Sequence, residues 1–358
     1  MQSVTIGNNQ AGQRLDKFLH KFMRSAGTGF LYKMLRKKNI TLNGKRAEGS
    51  EILALGDTVS FFFSPETFAK MTGETGDVLS DVGPSVDGIN GNHAAGREKA
   101  EQYVHAYHVL SGSGISVLYE DGHILIADKP AGVLSQKARS SDVSLNEWLI
   151  GYLLEEKAFP TVELRTFRPS VCNRLDRNTS GIVLCGKSLA GSQYLSRHIK
   201  DRGIQKFYRT ICVGEIRRET TLRGYLEKDS RNNKVIVREN TGTMKHDHQD
   251  YIETVYHPLA VSGGYTLLEV ELITGKTHQI RAHLASAGHP LIGDHKYGDS
   301  RTNRILREEY GLTYQLLHAY RVELPAFDAD SGVKTICSPC PEGFLKIMES
   351  LHFSGNWD

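Results

Sequence analysis

The sequence has few cysteines, no long apolar run and few groupings that could bind a metal. Its five cysteines are an odd number, and residues 1–10 lack the basic and apolar regions of a secretion signal, so we expect free thiols in a cytoplasmic protein. No stretch approaches the roughly 18 apolar residues of a membrane span. Cys337 and Cys340 have C-x-x-C spacing, but a second pair that would complete a zinc site is missing. These absences argue against a secreted, membrane-spanning or zinc-dependent protein.

Positive charge is concentrated near the N-terminus. Residues 1–63 contain ten lysines and arginines against four acidic residues, whereas residues 64–112 contain three against seven. The whole chain has a net charge of only +3. A basic segment attached to a nearly neutral body predicts a separate module for an anionic partner.

Residues 12–63 are predicted to fold as a small domain of two helices and short strands. Leu15, Phe18 and Leu19 have the spacing of a buried helix face, and Asn43-Gly44 predicts a hairpin turn. This order of elements resembles the small RNA-binding domain named after a ribosomal small-subunit protein, the "S four" domain. The resemblance implies phosphate binding by a set of basic residues on the second helix and near the turn, namely Lys33, Arg36, Lys37, Lys38, Lys45 and Arg46.

Residues 64–114 are predicted to be an acidic, flexible linker. Residues 71–92 are rich in Gly, Asp, Ser and Thr and poor in aromatic residues, a composition that buries too little apolar surface to offset the entropy of folding. We expect at most a short helix at residues 97–108. His246, His248 and Asp250 stand in a second polar segment, where we expect a solvated loop.

The stretch from Asn173 to Gly181 is the strongest candidate for the site of chemistry. Asp176 lies between two arginines, and an apolar run, residues 182–185, follows the glycine. A nearby arginine favours the ionised form of a carboxyl group. The spacing alone leaves a surface ion pair beside a turn as the alternative.

Residues 181–188 also satisfy G-x-x-x-x-G-K-S, the pattern of a phosphate-binding loop. However, the four middle residues are Ile182, Val183, Leu184 and Cys185, which predict a buried strand. A phosphate cradle needs an exposed loop of backbone amides before a helix. The pattern therefore favours a strand over a nucleotide site.

Three strings in this half of the chain resemble one known family. R-L-D-x-x-T-S-G, starting at Arg174 and followed by an apolar strand, resembles the active-site signature of the RluA-like pseudouridine synthases. Residues 206–214, and T-G-K-T-H-Q-I-R-A-H from Thr274 followed by G-H-P-L-I-G-D-x-x-Y-G, extend the similarity. The resemblance implies an α+β catalytic domain at residues 115–350, with a mixed, largely antiparallel sheet and flanking helices beside the N-terminal α/β domain.

The resemblance also implies roles for individual residues. Asp176 is the essential catalytic group, Arg281 pairs with it, Tyr208 is the active-site tyrosine, and Arg174 helps to bind the substrate. No cofactor or metal is needed. Asn173 and Lys276 differ from the histidine and arginine that are usual at their positions, which bears on substrate preference.

The expected function is isomerisation of uridines to pseudouridine in RNA, most readily in large-subunit ribosomal RNA. Transfer RNA as the substrate is one alternative. A catalytically idle RNA-binding factor for ribosome assembly is another. We expect a monomer whose partner is RNA and which does not contact a membrane.

Overall fold

The computed structural model describes residues 1–73, 94–157, 159–229, 234–238, 250–325, 333–353 and 355. Within these residues the chain forms a four-stranded sheet near the N-terminus and an eleven-stranded sheet in the remainder. None of their helices is both long and apolar enough to cross a membrane. The predicted α+β class, with a large and mostly antiparallel sheet, is confirmed.

The N-terminal sheet packs against two helices. Its elements are β1 (Gln2–Thr5), α1 (Leu15–Phe22), α2 (Thr28–Arg36), β2 (Ile40–Leu42), β3 (Lys45–Arg46) and β4 (Thr58–Phe61). The strands are antiparallel in the spatial order β1, β4, β2, β3. Asn43 and Gly44 join β2 to β3 with φ values of 50° and 72°, the positive values that a type I′ hairpin turn requires. β1 lies before residue 12, the predicted start of this module.

The N-terminal sheet has a hydrophobic core of its own. Phe22 stacks on Phe18 and Phe61, with ring centroids 5.5 and 5.4 Å apart. Leu15 and Leu19 are fully buried on the same face of α1. Their spacing of four residues places both on one side of the helix, which explains why the apolar pattern correctly predicted α1.

Hydrogen bonds connect this module to the rest of the chain. Gln10 Nε2 donates to Thr166 Oγ1 at 2.7 Å. Asn9 Oδ1 accepts a hydrogen bond from the backbone N–H of Leu189 at 3.2 Å, and its amide donates to Glu163. The loop after β1 is thereby tied to the large domain.

The first part of the predicted linker is a helix, α3 (Pro65–Thr72). The Ser64 hydroxyl accepts a hydrogen bond from Thr67 N at 3.3 Å, and Gly73 ends the helix with a φ of 81°. Phe68 packs its ring edge against Phe61, with centroids 5.5 Å apart. The caps and the packing against the N-terminal core explain why this part of the predicted linker is helical.

The last part of the predicted linker is also a helix, α4 (Ala94–Ser111), which is longer than the short helix expected at residues 97–108. It packs closely on the next helix, where a Cβ atom at Gly151 would lie 2.2 Å from the Tyr103 carbonyl oxygen. Only glycine permits so close an approach. Residues 74–93, and the predicted loop at residues 242–249 with His246 and His248, lie outside the described residues.

The large sheet contains eleven strands. They are β5 (Ser116–Glu120), β6 (Ile124–Lys129), β7 (Ser170–Val171), β8 (Ser180–Gly186), β9 (Gln205–Val213), β10 (Thr220–Asp229), β11 (Lys234–Arg238), β12 (Asp250–Ser262), β13 (Tyr265–Leu272), β14 (Leu317–Pro325) and β15 (Val333–Cys337). The main path runs β11, β10, β12, β13, β9, β14, β8, β6, β5, while β15 pairs with β14 and β7 pairs with β8. Neighbouring strands are antiparallel except β8 and β14, which are parallel.

Strand β8 lies in the interior of this sheet, between β14 and β6. Every residue from Ser180 to Gly186 is buried. A run of buried backbone that is hydrogen-bonded to strands on both sides cannot offer its amides to a phosphate. The phosphate-loop interpretation of residues 181–188 is therefore wrong.

Helices flank the sheet. They are α5 (Leu145–Glu156), α6 (Leu189–Lys200), α7 (Gln279–Ser286), α8 (Ser300–Tyr310) and α9 (Glu342–Ser350). Leu149 of α5 and Leu284 of α7 join one core cluster with Val183 of β8 and Tyr208 of β9. The loop before β8 and the start of α7 are thus brought to the same region.

The start of α7 has an unusual backbone conformation. His278 occupies the cap position with a φ of 55°, and the preceding Thr277 is exposed. Ile280 and Leu284 are buried, whereas Ala287 is exposed. The helix also buries polar side chains, so its apolar stripe alone does not define its orientation.

Candidate active site

Asp176 lies in the loop between β7 and β8. The Ser135 hydroxyl accepts a hydrogen bond from Leu175 N at 3.0 Å and donates one to Leu175 O at 2.9 Å. Within the loop, Thr179 N donates to the Asp176 carbonyl oxygen at 3.0 Å. Because these bonds fix the backbone on both sides of Asp176, the position of its carboxylate is restrained.

Gly181 brings the end of this loop against β14. Its φ is 106°, and a Cβ atom at this position would lie 2.2 Å from the Ala319 carbonyl oxygen. On the preceding residue, the Ser180 hydroxyl bonds to His318 Nδ1 at 2.9 Å. The glycine of the R-L-D-x-x-T-S-G string is therefore required both by backbone conformation and by close strand packing.

Lys129 holds the loop that contains Asp176 through hydrogen bonds to backbone oxygens. Its ammonium donates to the backbone oxygens of Pro130, Val133 and Arg177 at 2.9, 2.8 and 3.1 Å, so its three donors meet three acceptors. The residue is fully buried. Burial lowers the pKa of Lys129 to about 7, against the opposing effect of nearby carboxylates, of which Asp176 is the strongest.

Arg281 pairs directly with Asp176. Its Nη1 donates to Asp176 Oδ2 at 2.6 Å, and the two side chains are 9% and 26% exposed. Burial alone would lower the pKa of Arg281, but hydrogen bonds to Asp294 and Asp176 and their charges raise it above its ordinary value. The guanidinium is therefore permanently charged, and it orients the carboxylate through a charge-assisted bond.

Asp294 anchors Arg281 on the side away from Asp176. Its carboxylate accepts hydrogen bonds from Arg281 Nε at 2.7 Å and Nη2 at 2.9 Å, and its side chain has no exposed surface. Backbone N–H groups of Lys296 and Tyr297 donate to its Oδ1 at 2.8 and 3.1 Å. Burial raises the pKa of Asp294, but the bonds and charge of Arg281 outweigh that effect and lower it.

Tyr208 is buried in the core cluster that also contains Leu175, the residue before Asp176. The residue is 5% exposed, and its hydroxyl has no hydrogen-bond partner in the described part of the chain. Burial, and then the negative charge of Asp176, raise the pKa of Tyr208 well above its ordinary value. The structure thus brings Asp176, Tyr208 and Arg281, which were predicted from separate strings, into one site.

Two further side chains complete this site. His278 Nδ1 bonds to the Tyr297 hydroxyl at 3.0 Å, and its Nε2 lies 3.9 Å from Asp176 Oδ2. The Arg281 guanidinium lies 5.4 Å from the centroid of the Tyr297 ring, within the range of a cation–π contact. Tyr297 therefore touches both cationic and imidazole neighbours of Asp176.

The predicted substrate-binding residues are all on the surface. Arg174 is exposed and has no hydrogen-bond or ion-pair partner among the described residues. The six basic residues of the N-terminal module are likewise exposed, namely Lys33, Arg36, Lys37, Lys38, Lys45 and Arg46. Their exposure is compatible with binding a polyanion, and their role remains a prediction.

The two departures from the family pattern have structural partners. Asn173 Oδ1 accepts a hydrogen bond from Leu184 N at 2.7 Å, which supports β8. Lys276 Nζ pairs with Asp250 Oδ1 at 2.7 Å on the surface. Neither side chain bonds to Asp176 or Arg281.

Sequence reasoning did not identify Asp294, Tyr297, His278 or Lys129 as part of the site. Asp294 and Tyr297 stand in the string G-H-P-L-I-G-D-x-x-Y-G, where an acid directly after a buried apolar run was an available signal. Their role depends on their contacts with Arg281, and only the tertiary structure shows those contacts. No group of three or more His, Cys, Asp or Glu within the described ranges could hold a metal ion.

Residues 123–286 match the family model described as RNA pseudouridylate synthase. The chain is 27% identical to the ribosomal large subunit pseudouridine synthase C of Vibrio vulnificus (strain CMCP6) over 99% of this chain and 98% of the relative. It is 27% identical to the enzyme of the same name from Escherichia coli (strain K12), over 97% and 96%.

The structure of human RNA pseudouridylate synthase domain containing 4 has the same fold. It superimposes with a TM-score of 0.53 at 19% identity and covers 70% of this chain and 97% of that one. The region that matches the family model contains Asp176, Tyr208 and Arg281. Residues 123–286 are therefore similar to an RNA pseudouridylate synthase domain, and nearly the whole chain is similar to the two bacterial enzymes just named.

Proposed function

We propose that the protein isomerises specific uridines in large-subunit ribosomal RNA to pseudouridine, with Asp176 as the catalytic group. The observation that carries the proposal is the 2.6 Å bond from Arg281 to Asp176, with Tyr208 near enough for the charge of Asp176 to raise its pKa. The names of the full-length relatives support ribosomal RNA over transfer RNA as the substrate. A ribosomal substrate would place the enzyme in the cytoplasm.

The reaction matches a site built around one carboxylate. The bond between N1 of uracil and C1′ of ribose breaks, the base rotates, and C5 is joined to C1′ in its place. C5 loses its hydrogen as a proton, and N1 gains a proton. Atoms and electrons are conserved, so the overall change needs no external donor. A carboxylate beside the glycosidic bond can assist as a nucleophile or as a base, and Arg281 holds Asp176 in a fixed orientation for either role.

Tyr208 is proposed to receive the uracil ring. A uridine in folded RNA must leave its stack before Asp176 can reach it, at a cost of a few kcal/mol. An aromatic ring at the bottom of the site offsets part of that cost by stacking. The raised pKa of Tyr208 keeps the phenol protonated, so its part is to hold the base. Arg174, exposed at the rim, is proposed to occupy the gap that the base leaves.

The N-terminal module is proposed to bind the phosphate backbone of the same RNA. Six exposed basic residues lie on α2 and around the β2–β3 turn, and hydrogen bonds from Asn9 and Gln10 tie the module to the catalytic domain. Contacts to phosphate position an RNA without reading its bases. Selection of the uridine then rests with the fold of the RNA and with the catalytic domain.

The test is to map pseudouridines in ribosomal and transfer RNA from cells with and without the gene. We expect specific sites in large-subunit ribosomal RNA to be lost, and to return with the native gene but not with Asp176→Asn. If pseudouridines were lost only from transfer RNA, the substrate would be transfer RNA and not ribosomal RNA. An unchanged map in both RNAs would contradict it.

A further inference from the structure

His278 is held beside Asp176 in a conformation that is uncommon for its residue type. Its φ of 55° and ψ of 17° lie in the left-handed region, which glycine and asparagine tolerate best. The side chain is only 16% exposed. Conformations of this kind persist where the surroundings enforce them, and they are frequent at functional sites.

The hydrogen bonds around Tyr297 assign the tautomer of His278. Val235 N donates to the Tyr297 hydroxyl oxygen at 2.9 Å, and that hydroxyl lies 3.0 Å from His278 Nδ1. Among the described residues Nδ1 is the acceptor that the phenol hydrogen can reach, and we infer the tautomer in which the hydrogen is donated there. The neutral imidazole then carries its hydrogen on Nε2.

This Nε2–H group is an unused donor next to the catalytic carboxylate. Nε2 lies 3.9 Å from Asp176 Oδ2, which is too far for a hydrogen bond. An oxygen atom about 2.8 Å from both atoms would fit this separation and bond to each of them. Such an atom would have to accept from His278 and donate to Asp176.

Only one group of a uridine in an RNA chain meets that requirement near the glycosidic bond. The uracil carbonyl oxygens accept but cannot donate, and the uracil N3–H donates but cannot accept. The 3′ and 5′ oxygens of ribose are esterified to phosphate. The 2′-hydroxyl can do both, and it is the group that distinguishes RNA from DNA.

We propose that His278 Nε2–H and the Asp176 carboxylate together bind the 2′-hydroxyl of the target nucleotide, so that His278 is a substrate-binding residue that selects ribose over deoxyribose. The proposal rests on the proposed function, since it requires a uridine in the Asp176 site. Tyr297 is the positioning residue that fixes the tautomer of the imidazole.

The charges that face His278 favour the neutral ring that this role needs. Burial lowers the pKa of His278, and the cationic side chains of Arg281 and Lys296 act in the same direction. The carboxylates of Asp176 and Asp294 oppose them without reversing the shift. At neutral pH the imidazole therefore remains a donor at Nε2 and an acceptor at Nδ1.

The experiment uses a ribosomal RNA fragment that contains one mapped uridine and that the native enzyme isomerises. Dissociation constants are measured in the unreactive Asp176→Asn protein, for this RNA and for the same RNA with 2′-deoxyuridine at that position. We expect the deoxy substitution to weaken binding about fivefold, because it removes the acceptor of His278 Nε2–H in a protein whose Asp176 carboxylate is already replaced by an amide. In Asp176→Asn with His278→Asn, the two RNAs should bind within about twofold of each other.

The choice of variants separates a contact from a structural effect. Asparagine tolerates positive φ but is too short to reach the Nε2 position, whereas His278→Gln keeps a donor there and should restore most of the discrimination. His283→Asn, on the same helix but bonded to Thr254, should discriminate as the native residue does. Equal discrimination with and without His278 would overturn the inference. An RNA that the native enzyme does not isomerise would instead count against the proposed function.

Discussion

Arg281 and Asp294 form a buried pair with two parallel hydrogen bonds, from Nε to Oδ2 at 2.7 Å and from Nη2 to Oδ1 at 2.9 Å. This pair leaves Nη1 as the guanidinium nitrogen that donates to Asp176. The Asp176 carboxylate is thus held by an arginine that is itself held by a second, fully buried carboxylate. The orientation of Asp176 depends on both.

Asp294→Asn is expected to lower both stability and turnover. The amide keeps one acceptor oxygen, so Arg281 loses one of its two hydrogen bonds to residue 294. It also loses the buried negative charge of Asp294 that balances its own positive charge. Breaking a buried pair in this way costs about 3 kcal/mol of unfolding free energy. We expect single-turnover rates to fall about 10- to 100-fold.

Denaturant unfolding and single-turnover pseudouridine formation measure these two effects. Asp299→Ala is the control, since the exposed Asp299 caps α8 by accepting from Thr302 N at 2.7 Å. It should lower stability slightly and leave turnover unchanged. Native turnover in Asp294→Asn would show that Arg281 needs no second carboxylate.

Gly181→Ala is expected to disrupt the junction between the Asp176 loop and β8. The new methyl group would overlap the Ala319 carbonyl oxygen and force an alanine into a φ of 106°. We expect a loss of several kcal/mol of stability, read by thermal unfolding. Gly29→Ala is the matched control, because Gly29 lies in α2 with open space around it and should gain about 0.5–1 kcal/mol. An unaffected Gly181→Ala protein would contradict the close packing of β8 on β14.

Neutralising the basic surface is expected to weaken RNA binding without changing the chemical step. In the double variant Lys37→Gln with Lys38→Gln, the salt dependence of the dissociation constant should become shallower, by about 0.7–0.9 in the log–log slope for each phosphate that is no longer neutralised. The single-turnover rate at saturating enzyme should stay within about twofold of the native rate. Lys346→Gln, which removes an exposed lysine of α9 paired with Glu342, is the control. An unchanged slope in the double variant would exclude these lysines from the RNA-binding surface.

Buried histidines are expected to make the fold sensitive to mild acid. Burial lowers the pKa of His318 and of His283 to about 4 each, below the ordinary value of 6.5. Folding therefore favours the neutral rings, and the stability that they contribute is complete above pH 6.5 and is lost as the pH falls through 4. We expect the unfolding free energy to drop by a few kcal/mol across this window.

Urea unfolding at a series of pH values measures this dependence. His318→Gln should be less stable at about pH 7.5, because the bonds of the imidazole to Ser180 and Ser338 are lost, but its stability should change less between about pH 6.5 and 4. An equally steep dependence in His318→Gln and in the corresponding variant of His283 would show that other groups cause the acid sensitivity.

The strings around Asp176, Tyr208 and Arg281 predicted the α+β fold and the contact between Asp176 and Arg281, while the roles of the three residues stay predictions. The residues that surround this pair, Asp294 and His278, were not predictable in the same way. The role of Asp294 depends on a guanidinium 13 residues earlier that must also reach Asp176, 105 residues further back in the chain, and only the tertiary fold specifies those distances. The left-handed backbone of His278 and its hydrogen bond to Tyr297, 19 residues later, are likewise features of the tertiary structure.

The structure of the predicted linker also depends on contacts that its own sequence does not specify. The composition of residues 71–92 led to the prediction of a flexible linker at residues 64–114. However, α3 is capped by Ser64 and packs on Phe61, and α4 packs on α5 where Gly151 meets Tyr103. The helix propensity of a segment depends only on its own residues. It therefore gives no information on a packing partner outside the segment, such as Phe61 or Gly151.

The most direct measurement is single-turnover pseudouridine formation by purified Asp176→Asn on a large-subunit ribosomal RNA transcript, together with its affinity for the same RNA. We expect no product above background, a dissociation constant within about threefold of the native value, and an unchanged melting temperature within a few degrees. Product formed at a rate comparable to that of the native enzyme would contradict the assignment of Asp176 as the catalytic group.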